Sequence, residues 1–137
     1  TGYYKVPVND AKALETAIAT KGPVSVTVAA NWGMYGGGVF DGGCSANNCV
    51  LDHGVVAVGY DQDYWLVRNS WGTGWGESGY IRMQRYGEGN EPCGTDKSPQ
   101  DGDACEGDTD PRTYCGECGI LSSSSYPTGM RSASVAV

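Results

Sequence analysis

Leu51-Asp52-His53-Gly54-Val55-Val56-Ala57-Val58-Gly59-Tyr60, Asp61-Gln62-Asp63 and Tyr64-Trp65-Leu66-Val67-Arg68-Asn69-Ser70-Trp71-Gly72 follow one another and decide how this chain folds. Two β-branched and aromatic runs flank a short polar turn, the pattern of a β-hairpin. A three-residue turn centred on Gln62 makes paired residue numbers sum to 124, twice 62, so Asn69 faces Val55 and sits diagonally from His53. Equal parity puts both side chains on one face, at the open end of the hairpin. The Asn69 carboxamide oxygen can then accept a hydrogen bond from one ring nitrogen, fixing the tautomer and leaving the other nitrogen free to work on a nucleophile. The inference needs an odd-length turn, because a one-residue slip sends the two side chains to opposite faces. His53 is the only histidine. A lone histidine is commonly structural, and Asn69 opposite it is what makes this one a candidate general base.

Working outward, Asn9-Asp10 caps an apolar set at helical spacing, Ala11, Leu14, Ala17 and Ile18, and Lys21-Gly22-Pro23 stops it. A helix is predicted over about Ala11 to Thr20. Val24, Val26 and Val28 alternate with Ser25, Thr27 and Ala29, a half-buried strand. Glycine and asparagine make 31–48 a long irregular loop, and Tyr80 to Tyr86 supplies another strand. Between Gly87 and Glu117 the composition turns to Gly, Asp, Glu, Pro and Thr with almost no aliphatic residues, so this acidic insert builds no core of its own. Cys93, Cys105 and Cys115 make it a stapled surface loop. Gly119-Ile120-Leu121 is predicted as a last strand. The domain is expected to span 1–127, with the insert at about 87–117 and a tail at 128–137. These elements define an α+β fold, an antiparallel sheet partly closed as a barrel with the helix packed outside it. Val24, Val26, Val28, Val55, Ala57, Val67 and Ile81 are its expected buried side chains.

With 137 residues the chain is the size of one domain, and with 9 Lys+Arg against 16 Asp+Glu it carries a net charge of −7. That balance lacks the basic footprint that phosphate backbones require, so nucleic acid is excluded as a partner. The longest apolar stretch falls far short of the roughly 20 residues that span a bilayer, and no basic segment precedes one at Thr1. A soluble, already processed or truncated chain is expected, with no membrane span. Six cysteines without a second C-x-x-C or a histidine pair favour disulfides over zinc, so no metal and no cofactor are expected. Cys115 and Cys118 are expected in separate bridges. Six cysteines allow about 15 connectivities, so spacing assigns none of them. An oxidising compartment follows, secreted or endolysosomal.

Several of these runs, in this order, resemble the papain family of cysteine peptidases, and most closely its cathepsin L-like branch. They are Gly22-Pro23-Val24-Ser25-Val26, Asp52-His53-Gly54 with Val58-Gly59-Tyr60, Tyr64 to Gly72 followed by Trp75-Gly76 and Gly79-Tyr80, and Cys118-Gly119-Ile120 closed by Tyr126-Pro127. The resemblance implies the second, histidine-bearing domain of such an enzyme. His53 would be general base and acid, Asn69 would orient it, and Trp71 would shield their hydrogen bond and shape the leaving-group side of the cleft. By family position Thr27, Asp52, Gly54 and Ser123 would meet the substrate's second side chain upstream of the cut, where small residues leave room for a bulky apolar group. Cys44 would bridge to Cys118. Cys49, Cys93, Cys105 and Cys115 would staple the insert to itself and to the loop around Cys49.

The family's nucleophile lies in a Cys-Gly-Ser/Ala-Cys-Trp/Tyr run upstream of the histidine, and no such run occurs here. The resemblance therefore implies a partner, an N-terminal half or separate chain that carries the cysteine and completes a cleft for peptide or protein substrates. The alternative is a non-catalytic binding or structural subunit derived from the same fold.

Overall fold

The structure, a computed structural model, describes residues 2–42 and 49–130. In chain order it contains β1 (Gly2–Lys5), α1 (Ala11–Lys21), β2 (Val24–Val28), β3 (Val39–Phe40), β4 (His53–Tyr60), β5 (Tyr64–Arg68), β6 (Tyr80–Gln84), β7 (Cys93–Asp96), β8 (Arg112–Cys115) and β9 (Ser124–Thr128). A seven-stranded sheet runs β1-β9-β2-β4-β5-β6-β3, and β7 and β8 form a two-stranded sheet of their own. The large sheet is antiparallel except where β3 joins β6 in parallel. The fold is α+β as expected, but the sheet is open: its edge strands β1 and β3 do not pair, and β3 is only two residues long.

Helix α1 begins where Asp10 accepts the Ala13 N–H at 2.8 Å, satisfying one of the helix's unpaired first-turn donors. It ends at Gly22, whose φ of 96° is a conformation that costs glycine little, and whose N–H returns to the Ile18 carbonyl at 3.2 Å. Leu14, Ala17 and Ile18 are buried in the core shared with the sheet. In β2 the three valines face inward, as their alternation predicts, and Val55, Ala57, Val67 and Ile81 are buried with them. Each large apolar side chain so buried contributes roughly 1.5–3 kcal/mol.

The last strand is not Gly119-Ile120-Leu121. Glu117–Gly119 is a single 3₁₀ turn, with Cys118 at φ 52° and Gly119 at φ 75°, conformations no strand accommodates. Ile120 and Leu121 are buried by that turn, and the serine-rich segment after it becomes β9 because β1 and β2 flank it and satisfy its backbone. Tertiary pairing overrides the weak strand propensity of serine here.

The insert is ordered by the β7–β8 ladder and by a Cys93–Cys115 disulfide with an S–S distance of 2.02 Å, so Cys115 and Cys118 are not partners of each other. Cys105 is exposed. The expected Cys44–Cys118 bridge involves a residue outside the described ones, as does most of the expected tail.

Candidate active site

Hairpin β4–β5 carries the site. Tyr60 pairs with Trp65, and the Asp61 N–H meets the Tyr64 carbonyl at 2.9 Å, so paired numbers beside the turn sum to 125 and the turn is even in length rather than odd. An even turn alone would place His53 and Asn69 on opposite faces. A β-bulge between Ala57 and Gly59 adds one residue to β4, and beyond it Ala57 pairs with Val67 and Val56 with Arg68. Those pairs sum to 124 again, so the bulge restores the parity that the turn removes.

His53 Nε2 consequently lies 2.9 Å from Asn69 Oδ1. The same oxygen accepts the Ser70 N–H at 2.8 Å, which identifies it as the carbonyl end of the amide, since an NH₂ group could not accept that bond. Nε2 must then carry the proton it donates, and Nδ1 is left as the ring's acceptor. The Asn69 backbone N–H donates to the Gly79 carbonyl at 2.9 Å, closing the loop that follows β5. Asn69 is only 8% exposed, while the His53 ring remains half-buried. The amide is covered and the ring stays accessible.

Aromatic rings frame the imidazole. Trp71 lies 5.2 Å from it, centroid to centroid, and Trp32 approaches edge-on at 5.6 Å. Trp75 touches both indoles, at 5.5 Å from Trp32 and 5.1 Å from Trp71. Trp71 is 46% exposed, so part of its apolar ring faces solvent beside His53. Trp32 was not singled out from sequence; a tryptophan alone in a glycine- and asparagine-rich loop was the available signal. It is 1% exposed and anchors that loop.

Two further groups missed by sequence reasoning brace the same side. Glu77 accepts the Gly38 N–H at 2.9 Å and grips the Arg82 guanidinium with both carboxylate oxygens, at 2.5 and 2.8 Å. The Arg82 bonds, with that of Gly38, hold its carboxyl down at about 2. Tyr35 donates to the Gly38 carbonyl at 2.7 Å and accepts the Arg82 N–H at 3.3 Å.

The four residues expected to meet substrate gather at one end of β2 and β4. Thr27 pairs with Gly54, and its N–H donates to the Ser123 carbonyl at 3.0 Å. The Asp52 N–H donates to the Val28 carbonyl at 3.1 Å. A side chain built on Gly54 would meet nothing within 4 Å, so the space beside it is open. Pairing parity sets Thr27 and Gly54 on the face of the strand pair opposite His53. No His/Cys/Asp/Glu cluster able to hold a metal occurs among the described residues.

The site thus joins a histidine to an asparagine across a hairpin, with a tryptophan two residues after the asparagine. Residues 1–102 match the family described as Peptidase_C1, papain family cysteine protease, and the chain belongs to that family. It is 40% identical over 134 residues to the probable cysteine protease RD21C of Arabidopsis thaliana, covering 93% of this chain and 24% of that protein. It is 39% identical over 137 residues to cathepsin L of Sarcophaga peregrina, covering 93% of this chain and 32% of that one. Among solved structures, the Carica candamarcensis cysteine protease CMS1MS2 in complex with E-64 superposes with a TM-score of 0.69 at 42% identity, over 95% of this chain and 49% of that one. The digestive procathepsin L 3 of Tenebrio molitor gives a TM-score of 0.63 at 35% identity, over 92% of this chain and 34% of that one. The chain thus spans about a quarter to a third of the length of these curated relatives.

Proposed function

We propose that this chain supplies the histidine half of a cysteine endopeptidase and that its nucleophile comes from an N-terminal half or partner chain. The observation that carries this is the 2.9 Å bond between His53 Nε2 and Asn69 Oδ1, which leaves Nδ1 available to a thiol. A partner cysteine would lose its proton to His53, and the thiolate would attack the scissile carbonyl. The imidazolium would then protonate the leaving amine, and water would release the acyl group with the ring again acting as base. Asn69 holds the ring through both proton transfers, and Trp71 keeps water from their hydrogen bond. Thr27, Asp52, Gly54 and Ser123 would meet the substrate's second side chain upstream of the cut, where the space beside Gly54 favours a bulky apolar group. The Cys93–Cys115 bridge supports work in an oxidising compartment, secreted or endolysosomal. The exposed part of Trp71 would be covered by the other half.

Peptide hydrolysis needs a thiolate, an imidazolium and donors for the oxyanion, and the second is what this half contributes. Alone, the 137 residues are expected to hydrolyse peptides no faster than background. Adding a separately prepared papain-type N-terminal half should produce cleavage that thiol alkylation or His53→Ala abolishes. Alkylation-sensitive turnover by the homogeneous chain alone would overturn the proposal. A folded complex that binds peptides without cleaving them would favour a binding subunit instead.

A further inference from the structure

We propose that the acidic insert between Gly87 and Glu117 is a clamp on the segment leading into His53, with Asp96 as its central positioning residue. The role assigned to Asp96 rests on His53 being the general base.

His53 stands at an end of β4 that the sheet supports from one side. It pairs with Val28 of β2, but the β4–β5 ladder reaches only as far as Val56↔Arg68. A strand end with neighbours on one side is where fraying begins. The backbone just upstream is held by the insert instead. The Cys49 N–H donates to the Tyr114 hydroxyl at 3.1 Å, the Leu51 N–H to Asp96 Oδ2 at 3.1 Å, and the Leu51 carbonyl accepts the Asp103 N–H at 2.9 Å. On the other side Asp52 is tied to β2 and its exit, through Val28 and through the Ala30 N–H, which donates to Asp52 Oδ1 at 3.0 Å. Residues 51 and 52 are therefore gripped from both flanks immediately before the imidazole.

Asp96 is built for this task. It is 1% exposed, and its second oxygen accepts the Ser98 N–H at 2.9 Å, so both oxygens are engaged by backbone donors. A carboxylate taken out of water needs such donors, and losing Leu51 would leave it underserved. Gly102 lets the insert come close enough: a Cβ there would sit 2.2 Å from the Leu51 carbonyl oxygen. The Cys93–Cys115 bridge holds β7 against β8, the two strands from which Asp96 and Tyr114 reach the segment.

Because His53 is the only histidine, its imidazole resonances in the 137-residue chain identify themselves by NMR. Asp96→Ala and Gly102→Ala should each speed Leu51 amide exchange by about tenfold or more. They should also broaden the His53 Nε2–H signal and shrink the ring-current displacement that Trp71 imposes on the imidazole. Asp96→Asn keeps one acceptor for Leu51 and should retain most of both. Ile18→Val, which weakens the core from α1, should leave the His53 signals in place despite a lowered melting temperature. Unchanged imidazole signals in both alanine variants, or equal loss in Ile18→Val, would overturn the clamp. If Asp96→Ala does not fold, Gly102→Ala decides by the same criteria. None of these readouts requires hydrolysis, so an inert reconstituted complex would sink the peptidase proposal without touching the clamp.

Discussion

Asn69 Oδ1 accepts from both the His53 ring and the Ser70 backbone, and that double duty makes the side chain stiff as well as oriented. Removing it in Asn69→Ala frees the imidazole to rotate toward either indole and leaves the Ser70 N–H without its acceptor. In the reconstituted enzyme kcat should fall by about 10- to 100-fold, since small misplacements of a catalytic group cost on that order. Steady-state kinetics with KM largely unchanged would support an orienting role. A rise in KM with kcat intact would instead make Asn69 a substrate contact. At this scale the contact between His53 and Asn69 was legible from a parity argument. Trp32, Glu77 and Asp96 were not, because each matters through partners 21, 39 and 45 positions away in sequence, beyond any local pattern.

Among the elements, α1 and β2 were readable because each carries its own signals, an Asx cap and a glycine stop for the helix and strict alternation for the strand. Asp10→Ala should cost about 1 kcal/mol of stability through the lost cap, measurable as a shifted urea midpoint at constant slope. An unchanged midpoint would mean that tertiary packing alone holds the helix start. The hairpin teaches the opposite lesson. Its turn is even in length rather than odd as its composition suggested, and the same-face conclusion survived only because the bulge between Ala57 and Gly59 compensates. Nothing in the apolar run Val55 to Val58 marks which residue bulges, since period-two alternation is already blurred there. β9 was misplaced for a related reason: serines become a strand only when β1 and β2 offer them partners.

For the molecule as a whole, two carboxyls displaced in opposite directions contribute to the response to acid. Burial, with the Glu117 carboxylate adding to it, pushes Glu91 up to about 7 from its ordinary 4.5. The unfolded chain releases this proton near 4.5 while the folded chain keeps it, so stability falls as pH rises from about 4.5 to 7. Glu77 works in the other direction: held at about 2, it adds stability above 4.5 that is lost as pH falls toward 2. The melting temperature should therefore climb as the medium is acidified from neutrality to about pH 5, and Glu91→Gln should flatten that climb. An equally steep climb in the glutamine variant would assign the effect to other groups.

The strand order β1-β9-β2 also has a consequence in time. β1 pairs with β9 alone, and β9 is the last strand among the described residues, so β1 waits for residues 124–128 before any neighbour can receive it. Until residues 124–128 leave the ribosome, β1 with its exposed Tyr3 and Tyr4 and the bare edge of β2 stand open together, and closing the sheet joins residues 120 to 126 positions apart. Such long-range closure is slow and leaves unpaired edges exposed meanwhile. The growing chain therefore carries an unfinished sheet for as long as the residues between β1 and β9 take to be made.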